Sequence, residues 1–288
     1  MTRKTRFILF IISICLFLVI SYGVVLYALG YQYDTTLRTF LKTGAFQIES
    51  NFDGDVYVNN SFAGKTSFLN SKFSMARLLP RSYAVRLERE DFQTWTKDIR
   101  IESGRYAEYP RVVLIANEPK VESFASVSLN TILTMGFAND KLIVRGTRQA
   151  IAFDNKTASA SFLPLVVADQ RIASASTRIA PDRQKEIVLT PSTISIRWLT
   201  DASYQPYRNA GEQVVILKTT QKINQVLWYR DSNHLLVLSG DRLQLVEIDT
   251  RGVPNIVNFI NITSPFAYDG EKNIVYFIVG KNIKRLHL

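Results

Sequence analysis

The residue types that most often carry chemistry are sparse in this chain of 288 residues. Its two histidines are His234 and His287, and neither stands at a metal-ligand spacing from cysteine or carboxylates. The sequence contains no Gly-x-Ser-x-Gly elbow and no usable cysteine–histidine pair, and its aspartates fall in predicted turns. His234 follows one such turn, and we expect it to be solvated rather than a base. The sequence therefore predicts no catalytic, cofactor-binding or metal site.

One short motif imitates a nucleotide-binding loop. Ala63-Gly-Lys-Thr66 matches the end of the P-loop pattern G-x-x-x-x-G-K-[ST]. The first glycine of that pattern is replaced by Asn59, and residues 67–71 lack the helical period that would direct backbone N–H groups at a phosphate. A tight turn in a β-sandwich explains the motif better than nucleotide binding.

The firmest pattern is an uncharged stretch of 23 residues, Phe7 to Leu29. As a helix rising ~1.5 Å per residue, it can cross a hydrocarbon core of ~30 Å. Three basic residues precede it, and the bias of basic residues predicts a cytoplasmic tail at 1–6, a membrane span at 7–29 and an extracytoplasmic remainder. Four tyrosines near its outer end suit the headgroup level: Tyr22, Tyr27, Tyr31 and Tyr33.

A cleaved signal peptide is the alternative to this single-pass anchor. Ala28-Leu-Gly30 is an acceptable cleavage triplet, but a signal peptide usually has an apolar region of only ~7–15 residues. We therefore expect the anchor to be retained. Cys15, the single cysteine, lies within the span, so the remainder has no disulfides and must be held by its apolar cores.

Charge gives a weak indication of partners. The chain has 35 Lys and Arg against 25 Asp and Glu, and since three basic residues precede the span, the remainder keeps a surplus of seven positive charges. A basic surface outside the cytoplasm favours anionic cell-envelope polymers or lipid headgroups, or other envelope proteins, over nucleic acid. Dispersed charge that only aids solubility explains the same surplus.

The region 45–115, which follows a connector at 30–44, predicts a small antiparallel β-sandwich. Apolar and polar residues alternate in Phe46–Ile48, Val56–Val58, Tyr83–Leu87 and Trp95–Ile101, with Val112–Ile115 as the closing run. Turn residues at Asn51-Phe-Asp-Gly54 and Asn59-Asn60 separate such runs.

These residues resemble the PEGA domain. The resemblance lies in Ser50 to Asn59, Ala63 to Thr66, Leu79 to Leu87 and Asp91 to Gly104. The tetrapeptide that names the family is changed here to Phe52-Asp-Gly-Asp55, and Arg81 stands where the family has glycine after its central proline. The resemblance implies an extracytoplasmic accessory or structural module rather than a catalytic one.

A loose repeat occupies 123–288, after a polar linker at 116–122. Apolar-x-x-Asp recurs at four aspartates, 42, 49 and 38 residues apart, and each is followed by two short apolar strands: Asp140, Asp182, Asp231 and Asp269. A period near 40 with several strands per unit is typical of propeller blades. Each aspartate can pin its turn by accepting backbone N–H groups, whereas we expect an acid outside the register, such as Glu247, to matter less.

The repeat resembles blades of TolB/WD40-like β-propellers. Four units are few for a propeller, which leaves open a closed ring, an incomplete or open arrangement, and a sandwich with accidental repetition. We expect Trp198, Trp228 and Phe266 to pack between blades rather than to bind a ligand.

The predicted fold class is thus mostly β, with an N-terminal transmembrane helix, a PEGA-like sandwich and a propeller-like domain. The leading interpretation is a non-catalytic, membrane-anchored, extracytoplasmic binding or structural protein of the cell envelope. The alternative is an envelope-polymer hydrolase with carboxylates at a propeller axis. A sensor or assembly subunit that pairs through its span has less support, since the span lacks a G-x-x-x-G face.

Overall fold

The computed structural model describes residues 3–66, 69, 71–129 and 131–288. The chain is mostly β with an N-terminal apolar helix, so this part of the predicted fold class is confirmed. It divides into two compact units, one comprising Met1–Val85 and Asp98–Val112, the other Arg86–Lys97 and Val113–Leu288.

The described residues of the N-terminal part form one helix and nine strands. In chain order these are α1 (Arg3–Ala28), β1 (Tyr31–Asp34), β2 (Thr39–Lys42), β3 (Gly44–Ser50), β4 (Asp55–Val58), β5 (Ser61–Lys65), β6 (Lys72–Leu78), β7 (Ser82–Glu88), β8 (Trp95–Arg100) and β9 (Tyr106–Val112).

Helix α1 leads directly into a hairpin of β1 and β2, so the predicted connector 30–44 contains regular structure. Two further sheets have the strand orders β6-β3-β9 and β5-β4-β7-β8, and the boundary between the two units falls within β7 and β8. Strand β3 pairs parallel with β9, so the prediction of a purely antiparallel arrangement for 45–115 is wrong at this pair. The predicted alternation is present, since Phe46, Ile48, Val85 and Leu87 are buried.

Two details of the predicted strands need correction or restriction. The apolar run Val112–Ile115 is buried, but only its first residue belongs to a strand, because β9 ends there. Gly64 and Lys65 of the P-loop-like motif lie in β5, so no helix opens at this lysine. The prediction for residues 67–71 falls partly on 67, 68 and 70, which lie outside the described residues.

In the C-terminal part, the residues that the structure describes form fifteen strands and one helix. They are β10 (Val121–Ser126), β11 (Ile132–Ala138), β12 (Lys141–Gly146), β13 (Ala150–Asp154), β14 (Ala160–Leu163), α2 (Leu165–Ala175), β15 (Lys185–Thr190), β16 (Thr193–Trp198), β17 (Gln213–Lys218), β18 (Ile223–Trp228), β19 (His234–Ser239), β20 (Arg242–Glu247), β21 (Ile256–Asn261), β22 (Ala267–Asp269), β23 (Ile274–Val279) and β24 (Asn282–His287).

These strands form four antiparallel sheets that follow the predicted repeats. Sheet I contains β11–β14, sheet II contains β15–β17, and sheet III contains β18–β21. Sheet IV has the order β10-β24-β23-β22, so it combines the first strand of the C-terminal part of the chain with its last three. Propellers commonly join the two ends of the chain in one blade in this way, and the arrangement is therefore propeller-like.

Apolar cores join the sheets in the order I, IV, III, II. Phe153 of sheet I packs with Tyr276, which lies on one face of sheet IV. On the opposite face of sheet IV, Phe277 packs with Leu236 of sheet III. The other face of sheet III packs on sheet II, where Trp198 belongs to the shared core. In the described part of the chain, three of the four sheet-to-sheet interfaces of a four-bladed ring are thus present.

Helix α2 covers the remaining face of sheet I. Ala168 and Ile172, four residues apart and therefore on one side of the helix, form a buried cluster with Ile143 and Ala152. Helix α2 approaches strand β11 closely, because a Cβ atom added to Gly136 would lie 3.0 Å from Ile172. The segment that connects sheets I and II thus fills the position where sheet I would otherwise meet its neighbour.

Three of the four repeat aspartates pin their turns as predicted. The Oδ1 atom of Asp182 accepts the N–H of Gln184 at 2.9 Å. Asp231 accepts two N–H groups at 2.8 and 3.0 Å, and Asp269 accepts two at 3.1 and 3.2 Å. The turn at Asp140 is built differently, since Asn139 and Asp140 both have positive φ angles, 52° and 57°.

We expect Asp269→Ala to destabilise the second unit by about 2–3 kcal/mol. Asp269 is buried, and its loss leaves two turn N–H groups and the amide of Asn155 without their acceptor. Asp241→Ala, at an exposed aspartate of the same unit, should cost less than about 0.5 kcal/mol. Thermal unfolding of the full chain in detergent measures both changes, and equal shifts would contradict the role of the repeat aspartate.

Candidate functional site

A cavity of about 530 Å³ opens in the second unit, beside the turns of repeats two, three and four. Its apolar lining includes Pro181, Leu199, Leu227, Trp228 and Tyr268, and its cationic lining consists of Arg183 and Arg230. Among the described residues that line it, none is acidic. The volume is typical of sites that hold one small molecule or one segment of a polymer.

The repeat turns explain why the two arginines stand at this cavity. Arg183 directly follows Asp182 and has a positive φ of 59° that completes the turn. In this turn the backbone N–H of Arg183 donates to the carbonyl oxygen of Ala180 at 2.8 Å. Arg230 directly precedes Asp231 and lies two residues after the end of β18. Each guanidinium is therefore carried by a residue next to an aspartate that pins its own turn.

These two arginines differ from four other arginines of the same unit, which are held in ion pairs. Arg145, Arg208, Arg251 and Arg285 form ion pairs with Asp169, Glu212, Asp249 and Glu122. Within the described ranges, Arg183 and Arg230 have no acidic partner, and both side chains are exposed. An unpaired guanidinium beside an apolar surface can take a carboxylate or phosphate through two parallel hydrogen bonds.

The two aromatic side chains of the cavity have their polar atoms satisfied within the protein. The indole N–H of Trp228 donates to the carbonyl oxygen of Arg178 at 2.8 Å, and the hydroxyl of Tyr268 donates to Asn273 Oδ1 at 2.8 Å. Burial raises the pKa of Tyr268, so this hydroxyl stays neutral. The rings therefore present apolar surface to the cavity, and the charged groups of its described lining are the two guanidinium groups.

Sequence reasoning placed Trp228 in the packing between blades, and this expectation is met only in part. Trp198, Trp228 and Phe266 are all buried in the cores between sheets. Trp228 also lines the cavity. The arginines were missed, although a basic residue adjacent to the repeat aspartate in two units is visible in Asp182-Arg183 and Arg230-Asp231.

The prediction that His234 is solvated is wrong. Its exposure is 4%, and its Nδ1 lies 2.7 Å from Asp231 Oδ2. Burial opposes the charged imidazolium, but the carboxylate of Asp231 and its hydrogen bond outweigh burial, so the pKa of His234 is raised. A buried ring cannot reach a substrate in the cavity, which leaves His234 with a structural role.

A buried ion pair stands near this histidine. Lys97 Nζ lies 2.8 Å from Glu247 Oε2 and donates to the carbonyl oxygen of Asp249 at 2.9 Å. Glu247 also accepts the backbone and side-chain N–H groups of Asn255 at 3.0 and 3.1 Å. The expectation that Glu247 matters little is therefore wrong, because removing it would leave a buried ammonium without its partner.

A second buried lysine links sheets II and III. Lys185 Nζ donates to Asp182 Oδ2 at 2.7 Å and to the Tyr204 hydroxyl at 2.9 Å, and that hydroxyl donates to Asn233 Oδ1 at 3.1 Å. Asp182, Asp231 and Asp269 are thus committed to their turns, and Asp182 also holds an internal cation. Among the described residues, no group of three or more His, Cys, Asp or Glu side chains is placed to hold a metal ion.

No protein-family model matches this sequence, and no curated protein is similar to it. Among solved structures, the chain is similar to the β-propeller domain of Cps50 (Swd1) from Myceliophteria thermophila, with 13% identity, a TM-score of 0.29, and 74% of this chain and 67% of that chain covered. The chain is also similar to Hsv2 from Kluyveromyces lactis, with 11% identity and a TM-score of 0.27. The similarity covers 71% of this chain and 66% of that chain.

A third similar structure is the extracellular domain of a protein described as a hybrid two component system from B. thetaiotaomicron. The identity is 13% and the TM-score is 0.29, and the similarity covers 89% of this chain and 31% of that chain. This chain thus spans about two thirds of the first two proteins and about a third of the last. Because these TM-scores are low, we assign the propeller-like arrangement from strand order and core packing alone.

We expect the stability of the second unit to fall as the pH rises through the folded-state pKa of His234. The folded pKa lies above the ordinary value of about 6.5, so the stabilisation is complete below pH 6.5 and is lost above the folded pKa. The difference in melting temperature between pH 6 and pH 8.5 measures it, and His234→Gln should reduce that difference.

The other histidine provides the control for this measurement. His287 is 41% exposed at its side chain, and His287→Gln leaves the contacts of His234 unchanged. The part of the pH dependence that His234 supplies should therefore persist in His287→Gln. Identical pH dependence in the natural chain and in His234→Gln would contradict the assignment.

Proposed function

We propose that this protein is a single-pass membrane protein that displays a non-catalytic binding module outside the cytoplasm. The N-terminus lies in the cytoplasm, a PEGA-like β-sandwich follows the membrane span, and the propeller-like unit binds an anionic partner of the cell envelope. The single observation that carries the binding role is the cavity with two unpaired arginines, Arg183 and Arg230, on an apolar lining.

The anchor is supported by the length and the surroundings of α1. Its 26 residues are long and apolar enough to cross a membrane, and none of them is buried. An exposed row of Phe, Ile and Leu side chains in water would be unfavourable, at roughly 25 cal/mol per Å² of apolar surface. A lipid environment removes this cost.

Topology can be tested on intact cells with an epitope at the C-terminus. Because basic residues precede α1 and the proposed orientation places residues 34–288 outside, added protease should remove the C-terminal epitope. A cytoplasmic marker protein should survive in the same sample. Protection of the epitope until the membrane is opened would contradict the orientation, and release of an intact chain beginning near Tyr31 would contradict the anchor.

A binding role is favoured over the hydrolase alternative by the fate of the carboxylates. Asp182, Asp231 and Asp269 accept hydrogen bonds from their own turns, and Glu247 holds a buried lysine. Hydrolysis of a glycosidic bond ordinarily needs two carboxyl groups facing one bond. The described lining of the cavity presents cations instead, which suit recognition of an acidic polymer.

Ligand binding can be tested with acidic oligosaccharides, such as oligogalacturonate, and with a neutral dextran as the negative control. The natural chain in neutral detergent should bind the acidic probe, with a change in fluorescence because Trp228 lines the cavity. Arg183→Gln and Arg230→Gln should each weaken binding about tenfold or more, since a hydrogen bond to a charged group contributes about 1.5–3 kcal/mol.

Arg242→Gln is the matched control for this experiment. Arg242 is exposed, belongs to the same unit and does not line the cavity, so its loss removes the same charge elsewhere. Raising the salt from 0.1 to 1 M should weaken binding, because the screening length falls from about 10 to about 3 Å. An equal effect of Arg242→Gln would contradict the cavity as the site, and cleavage of the oligosaccharide would favour the hydrolase.

A further inference from the structure

The hairpin of β1 and β2 presents an aromatic and basic face that packing within the protein does not cover. Tyr33 pairs with Phe40, and Tyr31 pairs with Lys42, so these four side chains share one face of the two-stranded sheet. We call this set the aromatic face. Tyr33 and Phe40 are 47% and 46% exposed, and their rings contact edge to face at 5.3 Å.

The tip of the hairpin adds a further apolar side chain and a further cation. Leu37 is 64% exposed, and Arg38, next to it, has a positive φ of 52° that closes the turn. A two-stranded hairpin in water would not ordinarily expose three large apolar side chains together. Aromatic rings combined with Lys and Arg are instead the composition of the membrane–water interface.

The opposite face of the hairpin is tied to the protein at Asp34. Asp34 is buried, its Oδ1 accepts the N–H groups of Thr36 and Leu37 at 2.8 and 3.1 Å, and its Oδ2 lies 2.9 Å from Arg81 Nη2. The bonds from Leu37 and Thr36 and the charge of Arg81 hold the pKa of Asp34 below its usual value, against burial. The aromatic face is therefore exposed on a fixed element rather than on a loose loop.

The hairpin is also tied to the end of the apolar helix. The carbonyl oxygen of Gly30 accepts the N–H and the hydroxyl of Thr43, both at 2.8 Å, which closes the base of the hairpin two residues after α1. The guanidinium of Arg77 lies over the ring of Tyr27, 3.9 Å from its centre, and so adds a cation at the same level. Four residues per strand span only ~13 Å.

We propose that the β1–β2 hairpin lies in the headgroup layer of the membrane, with its aromatic face against phospholipid. This inference rests on the proposed anchor. The hairpin is too short to carry its tip far from the end of the span, and its exposed Tyr, Phe, Leu, Arg and Lys side chains match the apolar and anionic parts of that layer. The hairpin thereby fixes the depth of α1 and the orientation of the first unit at the surface.

The experiment uses the full chain in phospholipid vesicles with an environment-sensitive fluorophore on single cysteines. The natural Cys15 lies within α1 and reports insertion of the span. With Cys15 changed to serine, Phe40→Cys places the probe on the aromatic face and Thr39→Cys places it on the opposite face of the same strand. Leu37→Cys provides a second lipid-facing position that leaves the Tyr33–Phe40 contact intact.

The probes at positions 37 and 40 should emit at shorter wavelength than the probe at 39, and lipids spin-labelled near the headgroup should quench them more strongly. Iodide in the aqueous phase should quench the probe at 39 more strongly. If the probe at Cys15 is in hydrocarbon but those at 37 and 40 behave like that at 39, the hairpin proposal is overturned and the anchor stands. If the probe at Cys15 is itself aqueous, the anchor is overturned, and the hairpin proposal with it.

Discussion

The pairing of β10 with β24 is the interaction on which the second unit depends. It joins residues 163 positions apart, as in the contact of Glu122 with Arg285, and it completes sheet IV. Both faces of sheet IV are buried, one against sheet I and the other against sheet III, so this sheet is central to two of the apolar cores. Lys120 and Arg285 lower the pKa of Glu122 to about 2, which keeps the carboxylate charged at the junction.

Polar contacts accompany the apolar packing at each interface between sheets. Asn155 donates to Asp269 between sheets I and IV, and the amide of Gln225 makes two hydrogen bonds with the backbone of Phe266 between sheets III and IV. The indole of Trp228 donates to Arg178 at the junction of II and III. Apolar contacts tolerate sliding, whereas a buried donor left without its acceptor costs about 1–3 kcal/mol. These contacts therefore fix how each sheet sits on the next.

The strands were predictable from sequence because their side chains alternate and a turn aspartate recurs, both of which are local signals. The composition of sheet IV was not predictable, since nothing local in Val121–Ser126 indicates that this strand pairs with the other end of the chain. Helix α2 was missed although Ala168 and Ile172 are four residues apart, because its short sequence also contains β-branched residues. The site was partly predictable, since the aspartate turns carry its arginines. The burial of His234 and Lys97 was not predictable, because polar residues are expected to be exposed to solvent unless their buried partners are known.

The two ends of the stack of sheets differ in a way that limits how such a unit can assemble. Helix α2 closes the stack at sheet I, while the outer face of sheet II carries the ion pair of Glu186 with Arg197 beside the half-exposed Val215. Another copy could stack on sheet II only by stripping water from that pair, which opposes association. The exposed ion pair on sheet II thus disfavours end-to-end stacking of copies, as polar terminal repeats do in solenoid proteins.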